Sequence, residues 1–175
     1  MKTTGLVRRI DDLGRIVIPK EIRKNLRIKD GESLEIFLDR DNIILKKYSM
    51  LEGLEDFYKN YVESVQSFIK ENVMIVDNDK FVAVAGDLKK KYLNVNISKY
   101  IENVINKRQE VVIKDKSDFE LSDGVYESCC YVISPIIASG DAIGAFIIVT
   151  KGHKMDGFYT KTASIAAKFL GKYIE

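Results

Sequence analysis

The chain has 175 residues, of which 46% are hydrophobic, 31% charged and 10% aromatic. This composition excludes a disordered or collagen-like chain and provides enough apolar material for one or two domains with hydrophobic cores. The longest apolar stretch, residues 142–149, is too short to span a bilayer. The N-terminus carries charges where a signal peptide has its apolar core, so we expect a soluble cytoplasmic protein.

Positive charge is concentrated at the beginning of the chain. Residues 51–175 contain 16 basic and 18 acidic residues, whereas residues 1–29 contain only three acidic residues and these nine basic ones: Lys2, Arg8, Arg9, Arg15, Lys20, Arg23, Lys24, Arg27 and Lys29. Clustered Lys and Arg side chains neutralise phosphates and release counterions. The asymmetry therefore favours a polyanion-binding module joined to a nearly neutral domain, although a merely solvated basic surface is the alternative.

The first fifty residues, which we call the head, predict a ββαββ unit. β-Branched residues on both sides of a turn at residues 11–14 indicate two short strands, and Pro19 suits the start of a helix. In chain order the predicted elements are strands at 4–10 and 15–18, a helix at 20–26, and a hairpin with strands at 33–38 and 42–47. Strands this short bury little surface alone, so we expect a dimer that shares one core.

The head carries a specific family resemblance. Residues 4–23, TGLVRRIDDLGRIVIPKEIR, resemble the AbrB family of swapped-hairpin DNA-binding domains, and the ending IILKKY at 43–48 fits the same pattern. The resemblance implies a dimer of interleaved hairpins that contacts double-stranded DNA. It places the DNA contacts at the matching positions Arg8, Arg9, Arg15, Arg23 and Lys24.

Lys24 departs from relatives that carry arginine at this position. A lysine offers a point charge instead of a planar fork, so it suits a phosphate contact better than bidentate recognition of a base.

Apolar and aromatic residues then recur at helical spacing over residues 51–71. The pattern predicts a linking helix with a heptad seam that could pair subunits, and the seam consists of Leu51, Leu54, Tyr58, Tyr61, Val65 and Phe68. An ordinary core helix of the following domain explains the same spacing equally well.

Residues 72–175 alternate between apolar strands and amphipathic helices. The predicted elements are strands at 73–77, 81–85, 111–113, 131–137 and 142–150, and helices at 87–92, 98–108 and 156–173. An antiparallel sheet covered by the first and last helices is an α+β arrangement, and its element order is similar to that of a GAF domain. By analogy alone, a small-molecule pocket is expected near residues 85–105 and 117–130, with a polar loop over 115–124.

Over its full length the chain resembles a family of sporulation regulators in which an AbrB-type head precedes a GAF domain. This resemblance implies a regulator of late sporulation genes that activates at some promoters and represses at others. It also implies a tetramer built from two head dimers, associated with the nucleoid of the forespore.

The sequence supports no catalytic or metal site, and it predicts no cofactor. A pair formed by Cys130 and His153 lacks a third group to orient it. Cys129 and Cys130 are neighbours that should point to opposite faces of a strand, so we expect two reduced thiols.

Two other functions compete with a DNA-binding regulator. Related heads occur in antitoxins, but their tails are typically disordered and acidic, whereas residues 51–175 are apolar and periodic enough to fold. The other alternative is a small-molecule-binding GAF module with an incidental basic head.

Overall fold

The structure is a computed structural model that describes residues 5–175, so Lys2 and Thr4, which the sequence places in the basic cluster and the first strand, lie outside it. The chain forms two compact units. The first corresponds to the head but ends at Tyr48, two residues before the predicted boundary, and the second, which we call the body, begins at Ser49. The predicted linking helix therefore belongs to the body.

From residue 5 onward the head contains one helix and one hairpin. Helix α1 (Lys20–Asn25) follows Pro19, which is buried and serves as its N-cap residue. Strands β1 (Leu34–Asp39) and β2 (Asn42–Lys47) pair antiparallel. These three elements agree with the sequence prediction in type and place.

The other two strands predicted for the head are not formed within one chain. The described segments at 5–10 and 15–18 do not belong to a strand, and a turn connects them, in which the amide of Gly14 donates to the carbonyl of Asp11 over 3.0 Å. A strand requires a neighbour to satisfy its backbone groups. Within residues 5–175 one chain therefore forms β1 and β2 of the predicted ββαββ unit, and the swapped-hairpin dimer predicted for the head pairs the first two strands between two chains.

The body is built from five strands and four helices in the order α2-β3-β4-α3-α4-β5-β6-β7-α5. Their bounds are α2 Glu55–Ile69, β3 Asn72–Val76, β4 Phe81–Ala85, α3 Lys89–Tyr92, α4 Lys99–Lys107, β5 Val111–Ser122, β6 Val125–Ala138, β7 Asp141–Thr150 and α5 Gly157–Ile174. The strands form one sheet in the order β4-β3-β7-β6-β5, and every neighbouring pair is antiparallel.

Helices cover both faces of this sheet. Helices α2 and α5 pack against one face, where Val73, Val132 and Ile148 are fully buried, and α3 and α4 pack against the other face. Gly171 brings α5 close to β6, because a Cβ atom there would lie 2.1 Å from the carbonyl oxygen of Ile137. The predicted α+β fold, with the first and last helices of the body on the sheet, is confirmed.

The predicted bounds differ most from the structure at the linking helix and at strands β5 and β6, which were predicted at 111–113 and 131–137. The helix predicted for 51–71 begins only at Glu55, because Gly53 has φ +85° and interrupts the helical pattern before it. The polar loop predicted for 115–124 is instead part of the long hairpin of β5 and β6, which turns at Asp123 and Gly124. No helix within residues 5–175 is long and apolar enough to cross a bilayer.

Candidate nucleic-acid interface

Arg15 ends the turn that leads to the helix of the head, and its side chain is 71% exposed. Its Nε atom donates to Oδ2 of Asp11 over 2.7 Å. Hydrogen bonds from the backbone amide of Arg15 and then from its guanidinium lower the pKa of Asp11, so this carboxylate is charged at neutral pH. The terminal nitrogens of Arg15 bond to no other described residue and are available for a ligand.

Arg23 and Lys24 are neighbours on α1 with different surroundings. The Nη1 atom of Arg23 lies 2.7 Å from Oδ1 of Asp30, while its Nε atom is buried and has no hydrogen-bond partner in the described chain. Lys24 is exposed and forms no ion pair with any residue from 5 to 175. Arg23 is therefore held by an ion pair within the head, whereas no described residue restrains the side chain of Lys24.

Arg8 and Arg9 are both exposed in the segment that precedes the turn. The Nη1 atom of Arg8 donates to the carbonyl of Val7 over 3.0 Å, a local contact that leaves most of the guanidinium solvated. Four of the five predicted DNA contacts thus lie on the exposed surface of the head, and the fifth, Arg23, is partly buried.

Two acidic residues of this surface were not predicted as part of the site. Asp11 was identifiable from sequence, because its separation of four residues from Arg15 across a tight turn brings opposite charges together. Asp30 gave no such signal, since seven residues separate it from Arg23 and only the turn after α1 brings them into contact.

The head has no hydrophobic core of its own among the residues that the structure describes, 5–48. The buried hydrophobic side chains of the described chain begin at Leu51, which belongs to the body. Fourteen large hydrophobic residues of the head are exposed instead: Leu6, Val7, Ile10, Leu13, Ile16, Val17, Leu26, Ile36, Phe37, Leu38, Ile43, Ile44, Leu45 and Tyr48. An apolar surface of this extent on so small a unit marks a protein interface.

The six residues of the predicted heptad seam do not share one environment. Leu51 and Tyr58 are buried in the core of the body, Tyr61 and Val65 are partly buried, and Phe68 is 78% exposed. Leu54 lies just before α2 and is also partly buried.

Aromatic rings line the surface where α2 and α5 run beside each other. Phe57 stacks on Tyr173 with ring centroids 4.4 Å apart, and Tyr61 stacks on Phe169 at 5.6 Å. Large side chains of α5 remain about half exposed or more along this surface: Phe158, Ile165, Phe169 and Tyr173. Together with Phe68 they form what we call the α2–α5 apolar surface.

The region predicted to hold a small molecule is filled by side chains. Phe119 stacks on Tyr131 with ring centroids 3.8 Å apart, and the hydroxyl of Tyr131 donates to that of Tyr100. Ile97 and Ile101 close the remaining space and are at most 1% exposed. A shallow groove of about 360 Å³ lies beside this cluster, along α4 and the start of β5. A ligand of the body therefore stays a prediction from the fold analogy.

The two cysteines are free and buried on opposite faces of the sheet, as expected. Burial raises the pKa of the Cys129 thiol to about 12, so this residue is not a nucleophile at neutral pH. His153 is exposed, and its Nδ1 atom lies 2.7 Å from Oε1 of Glu71. No cluster of three metal-ligating side chains occurs in the part of the chain that the structure describes.

Solved structures with the architecture of the body include GAF domains. The GAF domain of nlh2 from A. aeolicus matches with a TM-score of 0.54 and 17% identity, covering 71% of this chain and 88% of that one. The cofactor-binding GAF domain of the nutrient sensor CodY from Clostridium difficile matches with a TM-score of 0.53 and 15% identity, covering 89% and 94%. At these identities the matches show the fold, and the body is a GAF-type domain.

Sequence comparison identifies the head. The transition state regulatory protein AbrB of Bacillus subtilis is 56% identical over 48 residues, which cover 27% of this chain and 50% of AbrB. A family described as antidote-toxin recognition MazE, bacterial antitoxin, also matches residues 7–52. The chain therefore combines an AbrB-type DNA-binding head with a GAF-type body, which defines a class of transcription regulators.

The full-length match is to one family of that class. The family described as stage V sporulation protein T C-terminal, transcription factor, matches residues 53–175. Stage V sporulation protein T of Bacillus subtilis is 46% identical over 177 residues, covering 100% of this chain and 99% of that protein. The chain belongs to the stage V sporulation protein T family of transcription factors.

Proposed function

We propose that the head binds double-stranded DNA as a dimer, with Arg8, Arg9, Arg15, Arg23 and Lys24 contacting the duplex. The protein then regulates late sporulation genes, activating at some promoters and repressing at others. The observation that carries this proposal is the surface of the head, where exposed cations accompany an apolar surface that a single chain leaves uncovered. Basic side chains supply the salt-dependent part of DNA affinity.

A second copy of the head is the occupant that suits this apolar surface. The segments at 5–10 and 15–18 lie outside the two strands that the described part of one head forms, and pairing with a second copy would bring them into a sheet. The same exchange would cover the fourteen exposed hydrophobic residues. Two copies also double the number of cations that face one duplex, which suits a DNA-binding dimer with two-fold symmetry.

Equilibrium binding to a promoter-length duplex at several salt concentrations tests the DNA contacts. Each phosphate contact adds about 0.9 to the slope of log K against log salt. We expect Arg15→Ala combined with Arg23→Ala to weaken binding and flatten this slope. Lys168→Ala with Lys172→Ala is the matched control, because it removes two exposed positive charges from α5. Equal effects of both double variants would contradict a DNA site on the head.

We further propose that the α2–α5 apolar surface joins two head dimers into a tetramer. Of the predicted seam, Phe68 is the most exposed member, and the half-exposed rings of α5 extend its surface. Aromatic side chains with little polar cover favour burial against another subunit. We propose this surface instead of a strict coiled coil of the predicted seam, because Leu51 and Tyr58 of the seam are buried in the core of the body.

Sedimentation velocity measures this assembly directly. We expect the wild-type protein to sediment as a tetramer and the Phe68→Glu variant as a dimer. Ser67→Glu places the same charge on the neighbouring exposed position of α2 and should leave the tetramer intact. A tetramer that survives Phe68→Glu combined with Ile165→Glu would contradict the assignment of this surface.

A DNA-binding regulator acts where the chromosome is, so we place the protein in the cytoplasm in association with the nucleoid. The forespore is the compartment that the family resemblance implies. Fluorescence microscopy of the tagged protein during sporulation tests both statements, and signal in the mother cell alone would contradict the forespore.

A further inference from the structure

The turn between the first two segments of the head is closed by a single carboxylate. Oδ1 of Asp11 accepts hydrogen bonds from the backbone amides of Leu13, at 3.1 Å, and Arg15, at 2.7 Å. The amide of Asp11 in turn donates to the carbonyl of Arg15 over 3.1 Å. This side-chain oxygen and the backbone hydrogen bonds of the turn together fix the path of the chain from Asp11 to Arg15.

The second oxygen of this carboxylate binds the side chain that the turn presents. Oδ2 of Asp11 accepts from Nε of Arg15 over 2.7 Å, which restrains the long side chain without using its two terminal nitrogens. Those nitrogens are the edge with which an arginine forms paired bonds to a phosphate or a guanine. The contact thus restrains Arg15 and still leaves its recognition edge open.

The structure assigns Asp11 as a positioning residue for DNA recognition, which holds Arg15 in the orientation that it adopts on the duplex. The inference rests on the proposed DNA contact of Arg15. An arginine that is already restrained loses less conformational freedom on binding, and restraint of one such side chain changes affinity by about 3- to 10-fold. A carboxylate near DNA also repels phosphates, so charge and positioning act in opposite directions at this residue.

Asp12 provides a control for the charge effect. It is the next residue in the same turn, it is exposed, and it forms no hydrogen bond or ion pair with another residue between 5 and 175. Asp12→Asn therefore removes the same negative charge without removing a contact to Arg15. Asp11→Asn keeps an oxygen that can accept from the two backbone amides, so it removes the ion pair while preserving the turn.

The experiment measures binding of the intact protein to a promoter duplex and to an unrelated duplex of equal length. The variants are Asp11→Asn, Asp12→Asn, Arg15→Ala and the double variant Asp11→Asn/Arg15→Ala. We expect Asp12→Asn to bind as tightly as wild type or more tightly, and Asp11→Asn to bind the promoter about 3- to 10-fold more weakly. The loss should disappear in the Arg15→Ala background, because the two residues act through one contact.

Each other outcome overturns a different statement. If Arg15→Ala leaves affinity and salt slope unchanged, Arg15 does not contact DNA, and both the proposed contact and the role of Asp11 fail. If Arg15→Ala weakens binding but Asp11→Asn strengthens it as Asp12→Asn does, the DNA contact stands and only the positioning role fails. A loss on Asp11→Asn that persists with Ala at position 15 shows a purely structural role and overturns the inference.

Discussion

Nη1 of Arg23 lies 2.7 Å from Oδ1 of Asp30, so the guanidinium that is proposed to contact DNA is already paired with a carboxylate on the same head. This partner binds a terminal nitrogen, which is the edge needed for a phosphate or base. In this respect it differs from Asp11, whose contact with Arg15 uses only Nε. Asp30 therefore competes with DNA for Arg23.

We expect Asp30→Asn to raise DNA affinity severalfold at low salt, because it removes both the competitor and a negative charge. The side chain of Asp30 is 96% exposed, and exposed ion pairs contribute only about 0–1 kcal/mol, so the melting temperature should change little. Binding is compared in a double-mutant cycle with Arg23→Ala. A gain that persists without Arg23 would show that it arises from charge alone.

Lys24 provides the opposite case, a cation on α1 without a described partner. We expect Lys24→Ala to weaken binding to promoter and unrelated duplexes by the same factor and to lower the salt slope by about 0.9, since a lysine suits a phosphate contact. Titration at several salt concentrations measures both quantities. Lys24→Arg should restore the slope, and loss of promoter discrimination in Lys24→Ala would indicate a base contact instead.

Elements with a clear local pattern in the sequence were predicted correctly, and elements that depend on pairing with distant residues were not. The hairpin of β1 and β2 and helix α5 were predicted because their turns, caps and apolar periodicity are local properties of the chain. The strand β5 was missed at residues 114–122, because charged residues interrupt its apolar pattern at 114–118 and its pairing with β6 is irregular between Ile113 and Ser117. Pairing of that kind is not encoded in the segment itself.

The functional residues likewise divide into those that a local sequence pattern predicts and those that it does not. The cations of the head were identified from the family pattern, and Asp11 was within reach of a local spacing argument. Asp30 and the burial of Leu51 depend on contacts that form only in the folded chain. Gly53 indicated that the helix begins after residue 53, but the apolar spacing was given more weight in the prediction. The left-handed backbone of Gly53 delays the start of α2.

Tyr58 buries a hydroxyl without a hydrogen-bond partner in the described chain. Burial, with smaller contributions from Glu55 and Tyr173, raises the pKa of this phenol to about 12, so it stays neutral. A buried unpaired polar group costs about 1–3 kcal/mol. We therefore expect Tyr58→Phe to leave the free energy of unfolding unchanged or to raise it by up to about 1 kcal/mol.

Tyr131→Phe is the matched control for that substitution. The hydroxyl of Tyr131 donates to Tyr100 over 3.0 Å, so its removal should cost about 0.5–1.5 kcal/mol. Thermal and denaturant unfolding followed by tyrosine fluorescence reports on the body, since every tyrosine except Tyr48 lies there. A Tyr58→Phe variant that is as destabilised as Tyr131→Phe would reveal a hydrogen bond made in the assembled protein.

Glu127 on β6 joins three parts of the body through one carboxylate. It accepts from Lys91 at 2.7 Å and Tyr92 at 3.1 Å, both on α3, and it pairs with Lys151, which follows β7, at 2.8 Å. Burial alone would raise the pKa of Glu127, but the bonds from Lys151, Lys91 and Tyr92 outweigh it and lower the pKa to about 2. The charged form is therefore favoured by folding.

The sign of the pH dependence follows from this lowered pKa. The stabilisation by Glu127 is fully present above the ordinary carboxyl pKa of 4.5 and is lost as the pH falls from there towards 2, because the folded state must then bind a proton that it resists. We expect Glu127→Gln to lower the free energy of unfolding by about 1–2 kcal/mol at pH 7, less than the full shift implies, since Lys91 and Lys151 are nearly half exposed. The difference from wild type should shrink between pH 4.5 and 2.

Asp115→Asn, which removes an ion pair with Lys154 that is more than 80% exposed on both sides, should have no measurable effect at either pH. A difference between Glu127→Gln and wild type that stays constant down to pH 2 would show that packing, and not the carboxylate charge, accounts for the contribution of Glu127.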